Sequence, residues 1–433
     1  MPLQVFDSVN GPQSSRALSG GRLLLRHVAG DIWAFIIPSV IFVEWSFGGR
    51  VFLSEILLLC ILPVLLAIRA NWLFAPLPRQ FILLSLLWLT GQMLTDIALD
   101  IPFLDWSRGW SKIVFLLLNF TALYLLLSRR KTRLLIFAVG IAVGSIGKFY
   151  ISPSIFAPDY PWKFGVGPAL TLLMILSTQW RFFSRKPLLP EMILVVASGV
   201  NFFLGYRSLG AFCLLAALYS FYHQHIRASI APVAPVLHVR TMVAALFVAV
   251  MGVFIFGEIY GYVAGEGWLG EDAKQKYEMQ ASGRWGLLLG GRSELFASSE
   301  AILDSPILGH GSWAKDPKYR TLMFEKMLTY DYEVGNEGDT DLIPTHSYVF
   351  GAWVEAGVAG AIFWLWVLLL PVKLLITMRQ FNSNLRIFLG FVAFSLIWDI
   401  LFSPLGAEGR IYTAYNIVLL MFGTTLVNEI RSP

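Results

Sequence analysis

Apolar runs of membrane-crossing length recur through almost the whole chain. The stretch VFLSEILLLCILPVLLAI at residues 51–68 holds one carboxylate and no basic residue. A helix rises 1.5 Å per residue, so a run of about 17 to 25 residues matches the roughly 30 Å hydrocarbon layer of a bilayer. About twelve such spans are expected, at 31–47, 51–68, 80–97, 111–127, 134–150, 164–180, 190–205, 208–223, 241–259, 348–371, 387–403 and 411–428. With 56% hydrophobic and 14% charged residues, an ordinary soluble domain is excluded. The expectation is an all-α polytopic integral membrane protein, with residues 1–433 forming one transmembrane domain. Residues 1–29 lack the apolar core and small-residue cleavage site of a secretory signal, so the first span is expected to remain as an anchor.

Basic residues in short loops favour the cytoplasm, and with the N-terminus inside, the cytoplasmic segments carry eighteen Lys and Arg against seven outside. The inner set includes the cluster Arg129, Arg130, Lys131 and Arg133; the outer set is Arg50, Arg108, Lys112, Lys148, Lys163, Arg207 and Arg410. Both termini are therefore expected in the cytoplasm, with residues 1–29 as a cytoplasmic segment. The net charge of +5 follows from this loop asymmetry and does not point to nucleic acid. Cys60 and Cys213 both fall inside spans and read as apolar core residues rather than a disulfide or metal pair.

Residues 260–344 form the one long extramembrane loop, on the outer side between spans nine and ten, with fourteen of the twenty-eight carboxylates. A connection this long implies a task. Within it, GGRSELFASSEAILDSPILGHG predicts an amphipathic helix with Leu295, Phe296, Ser299, Ile302 and Leu303 on one face, ended by Pro306 and Gly309. DYEVGNEGDTDLIP reads as a flap or spacer, because its carboxylates lack calcium-loop spacing. No Cys, His and Asp grouping has zinc-ligand spacing, so neither metal nor other cofactor is expected.

From Met192 to Tyr222 the chain is too long for one span and barely long enough for two, which predicts a tight hairpin with Gly205, Tyr206, Arg207 and Gly210 at its outer tip. An arginine at membrane depth costs about 2.5 to 3.5 kcal/mol on insertion scales unless an anion or water meets it. That favours function for Arg207 over simple snorkelling.

His346 and Ser347, then nine residues, then Gly357, two residues and Gly360 follow the pattern H-[NSQ]-x9-G-x-x-G. In this the chain resembles the O-antigen ligase and polymerase superfamily of bacterial surface-polysaccharide assembly. GYRSLG is similar to that family's arginine-bearing outer hairpin. The stretch GGRSELFASSEAILDSPILGHG, residues 290–311, is similar to its G-R … P-x-x-G-x-G segment, so the likeness covers roughly residues 200–365.

The resemblance implies a metal-independent, inverting glycosyl transfer on the periplasmic face of a bacterial inner membrane. Its donor is a glycan on a polyprenyl pyrophosphate, and its acceptor is lipid A core (ligase) or a second lipid-linked glycan (polymerase). Arginine suits the growing charge of a pyrophosphate leaving group, because guanidinium binds phosphate oxygens in pairs and keeps its charge. That suits Arg207 and Arg292, with Arg284 either a further phosphate contact or a loop salt bridge. Histidine, with an ordinary pKa of about 6.5, suits a base for the acceptor hydroxyl, which suits His346. Gly357 and Gly360 are expected to support helix packing, His310 to lie in a turn near the site, and Glu355 to orient a neighbour or pair with a base. A polytopic secondary transporter or lipid-linked glycan flippase is the alternative, since it too has about twelve helices.

Overall fold

The computed structural model describes residues 18–46, 48–184, 186, 188–226, 261–268, 270–284, 292–332, 340–378, 381 and 383–431. The first helices are α1 (Leu18–Ser39), α2 (Leu53–Arg69), α3 (Pro76–Ala98), α4 (Phe103–Leu127) and α5 (Lys131–Ile151). Then come α6 (Gly167–Ser177), α7 (Leu189–Phe203) and α8 (Arg207–Phe221). The 260–344 region supplies α9 (Glu271–Ala281), α10 (Glu294–Asp304) and α11 (Pro317–Thr329), and the chain closes with α12 (Tyr348–Thr377), α13 (Ser383–Phe402) and α14 (Gly409–Arg431). A small antiparallel hairpin, β1 (Glu44–Ser46) and β2 (Arg50–Phe52), joins α1 to α2 and takes the end of the first expected span.

Among the described residues, seven helices are long and apolar enough to cross a membrane, fewer than the twelve expected. Four other expected spans coincide with shorter stretches: Val28–Ser39, Trp162–Ser177, Leu189–Phe203 and Arg207–Phe221. The span at 241–259 lies outside the described residues. Large apolar side chains such as Leu59, Val64, Leu83 and Leu94 are exposed along the helices. An exterior of this kind is unfavourable in water and suits a lipid surround. Cys60 is on this exterior and Cys213 in the interior.

The core is aromatic where α3, α4 and α12 meet. Phe81 stacks on Phe120 and Trp88 on Phe363, with Trp364 edge-on to Trp88. Elsewhere α7 packs on α8, α8 on α13, α1 on α5 and α4 on α14. The expected hairpin is present: Gly205 turns the chain at φ +77°, and the Tyr206 N–H donates to the Asn201 carbonyl at 2.8 Å. That left-handed angle is easy for glycine alone, so Arg207 opens α8 immediately afterwards.

The 260–344 region holds helices rather than a bare connection, and its apolar residues form a second small core around Ile302, Tyr319, Met323 and Ile343. Helix α10 forms as expected, and of the expected face Ile302 is buried and Phe296 packs against this core, but the buried face is shifted from the one expected. Ala297, Ser298, Ala301 and Ile302 turn inward, while Leu303 is 74% exposed. Small residues win because α10 lies close against α11 and α12. Of the acidic stretch, residues 333–339 lie outside the described set, and its flanks are held by buried Tyr332 and Ile343.

Candidate active site

Helix α12 begins on Ser347, whose hydroxyl accepts from the Phe350 N–H at 3.2 Å and donates to the Ile400 carbonyl of α13 at 2.8 Å. One cap thereby starts the helix and ties it to its neighbour. His346, one residue earlier, is held at that junction. Its Nδ1 stands 3.8 Å from Oε1 of Glu294 in the first turn of α10, and the two side chains are 44% and 32% exposed. Arg292, Glu294, Leu295, Ser298, His346, Ser347, Phe350 and Leu401 line one small cleft.

The Arg292 guanidinium lies over the rings of Trp398 and Phe402 of α13, at 5.3 and 5.4 Å from their centroids. Such faces favour a cation without consuming its N–H donors. Burial lowers the Arg292 pKa, the charge of Glu294 opposes this, and Arg207 adds to it. The same influence puts Arg207 and Arg292 within electrostatic reach of each other. For His346, burial pushes the pKa below the ordinary value, Glu294 pulls it up, and Arg292 and Lys163 push it down. The cleft itself holds Arg292, Glu294 and His346, while Lys163 acts on the ring and Arg207 on Arg292 from other segments of the chain. Lys163 is carried by the π-helical turn Trp162–Val166 that leads into α6, which Trp162 anchors by donating its indole N–H to Asn201 of α7 at 2.9 Å.

Gly357 breaks α12, with φ +60° and ψ −150°. A Cβ there would overlap the Ile307 carbonyl, because the segment Pro306–Gly311 inserts into the break. His310 N–H donates to the Val354 carbonyl at 2.7 Å, Gly311 N–H to Glu355 at 3.0 Å, and Val358 N–H to Ile307 at 3.2 Å. The loop thus takes over the backbone partners that the broken helix lacks. Gly360 has no room for a Cβ beside the Ala352 carbonyl. The two glycines support a docked loop and a folded-back turn, rather than the contact with a neighbouring helix expected from their spacing.

The other candidates stand around this lock. Glu355 pairs with Lys112 of α4. The His310 ring bonds the Ala301 carbonyl at 2.7 Å and lies edge-on to Tyr319, holding α10 against α11. Arg284 pairs at 2.9 Å with Asp331 on the exposed surface, outside the cleft. Compared with models of protein families, with curated proteins and with solved structures, the chain matches none of them.

Sequence reasoning passed over Glu294, Lys163, Trp398 and Asp96. Asp96, at the end of α3, is buried and accepts from the Ser312 N–H, the Ser312 hydroxyl and the Trp110 indole, each at 2.6 Å. It fixes the loop that enters the Gly357 break. A carboxylate inside an apolar span was a signal for Asp96, since such a group needs partners. Glu294 sits two residues from Arg292 and carries no mark of its own in the sequence. Among the described residues, no three His, Cys, Asp or Glu gather as metal ligands would.

Proposed function

We propose that this chain is a metal-independent, inverting glycosyltransferase of a bacterial inner membrane, with both termini in the cytoplasm and the cleft facing the periplasm. It moves a glycan from polyprenyl pyrophosphate to an acceptor hydroxyl. The observation that carries this reading is the cleft in which Arg292 stands beside His346, with Lys163 acting on the ring and Arg207 acting on Arg292. Three cations concentrate positive potential where a pyrophosphate headgroup would leave, and their effect is strongest where water is sparse. The acceptor oxygen attacks the anomeric carbon from the side opposite the leaving group. The bond to pyrophosphate breaks, its electron pair passes to the phosphate oxygen facing the arginines, and the hydroxyl proton passes to His346.

Segregation of charge along the bundle supports access from one side. Arg50, Lys148 and Glu408 meet near the start of α14, and Lys112 meets Glu355. At the opposite ends of the helices, Arg69 and Arg129 lie over Trp72. This arrangement favours an enzyme over a carrier, whose binding groups belong near the bilayer midplane. The test is to give purified protein a lipid-linked repeat unit with and without lipid A core. A ladder from repeat units alone identifies a polymerase; transfer that requires core identifies a ligase; no product in either case overturns the reading.

A further inference from the structure

Resting on this proposed function, we infer that Glu294 is the positioning residue of His346, holding the ring by its Nδ1 edge so that Nε2 is the atom that takes the acceptor's proton. The two side chains approach by Nδ1 and Oε1 at 3.8 Å and share one cleft wall. This is ion-pair range, and base–orienter contacts in sites without substrate tighten when substrate binds. The carboxylate lies in the first turn of α10, so the start of that helix fixes its place beside the ring.

The charges around the ring make the carboxylate necessary. Among the described residues, the charged groups acting on His346 besides Glu294 are Arg292, beside it in the cleft, and Lys163, from the helical turn that leads into α6. Both are cationic. A base that accepts a proton becomes a cation, and two fixed positive charges oppose that step. Among the described residues, Glu294 is the anion acting on the ring, and it balances the imidazolium as it forms while selecting the tautomer with hydrogen on Nδ1. The same two cations serve the departing pyrophosphate, so without Glu294 the environment good for the leaving group would be poor for the base.

The test uses the full chain in nanodiscs and two readouts. Acylation of His346 by diethyl pyrocarbonate, followed against pH by peptide mass spectrometry, reports the ring's protonation without needing turnover. Glu294→Gln should move the midpoint to lower pH by on the order of one unit, since an anion within ion-pair range shifts a pKa by about that much or more. Glu294→Asp, which keeps the charge, should hold most of the shift back. In transfer assays Glu294→Gln should lower kcat at least about tenfold while moving the rising limb of the pH profile in the same direction. A midpoint and a pH profile that both stay at wild-type values in Glu294→Gln would overturn the inference, whatever the loss of rate. The acylation midpoint still decides the pairing if wild-type protein transfers no glycan, an outcome that sinks only the proposed function.

Discussion

Two ionic clusters near the same end of the bundle invite comparison. In the first, Arg410 of α14 and Glu55 of α2 meet at 2.8 Å with side chains 4% and 0% exposed. Asn119 donates to the other Glu55 oxygen at 3.1 Å, and the Arg410 guanidinium also reaches the Arg50 carbonyl at 2.8 Å. In the second, His346 and Glu294 stand 3.8 Å apart and partly open, beside an arginine resting on aromatic faces. The first cluster is closed on itself and links distant helices. The second leaves polar edges toward a cleft. Ionic groups that satisfy one another hold a fold together, whereas groups held apart by the scaffold are positioned for something that arrives later.

The widest separation between the clusters should appear in stability. Removing Glu55 leaves Arg410 buried without its counter-charge, so Glu55→Ala should destabilise the protein by about 3–5 kcal/mol, read as a lowered Tm in detergent. Glu294→Ala, at the open cluster, should cost less than about 1 kcal/mol. Equal losses would erase the distinction. Activity should rank the two the other way. His346→Ala should lose about two to four powers of ten in turnover with Tm retained. A normally folded variant with wild-type turnover would make the histidine a structural cap.

Smaller effects sharpen the picture. Gly357→Ala must place a side chain at φ +60° against the Ile307 carbonyl. It should cost on the order of 1–3 kcal/mol and loosen the loop behind the cleft, seen as faster amide exchange over residues 306–311. Arg207→Lys keeps the charge and loses the planar fork, so donor turnover should fall sharply at unchanged net charge. The pH profile should rise through a pKa below the ordinary histidine value and then stay flat to neutral pH. The sign follows from burial and the two cations, which favour the neutral ring that acts as base. EDTA should change nothing. Loss of activity restored by magnesium would transfer the pyrophosphate's partner from arginine to metal.

Much of the helical layout was legible because a bilayer imposes a length and an apolar character that single residues report directly. The run 348–371 lies within Tyr348–Thr377, and the hairpin tip fell where Gly205 turns the chain. Legibility ended where partners decide. The face of α10 was legible only in part: Ile302 is buried as its place on the apolar face suggests, yet Leu303 is exposed and Ala297 and Ala301 are buried where the neighbouring helices pack. Gly357 and Gly360 read as helix packing because their spacing says nothing of a loop from fifty residues upstream entering the helix.

What the sequence determined by itself was local: apolar length, the turn at Gly205, and the residue types able to take a proton or hold a phosphate. Each rests on a residue and its immediate neighbours along the chain. Only the tertiary structure brought Glu294 to His346, turned Arg292 onto Trp398 and Phe402, set Lys163 within reach of the ring, and gave Arg284 to Asp331 instead of the cleft. Coulomb interaction and hydrogen bonding depend on separation in space. That separation is fixed by the packing of helices far apart in the chain, which no local pattern encodes.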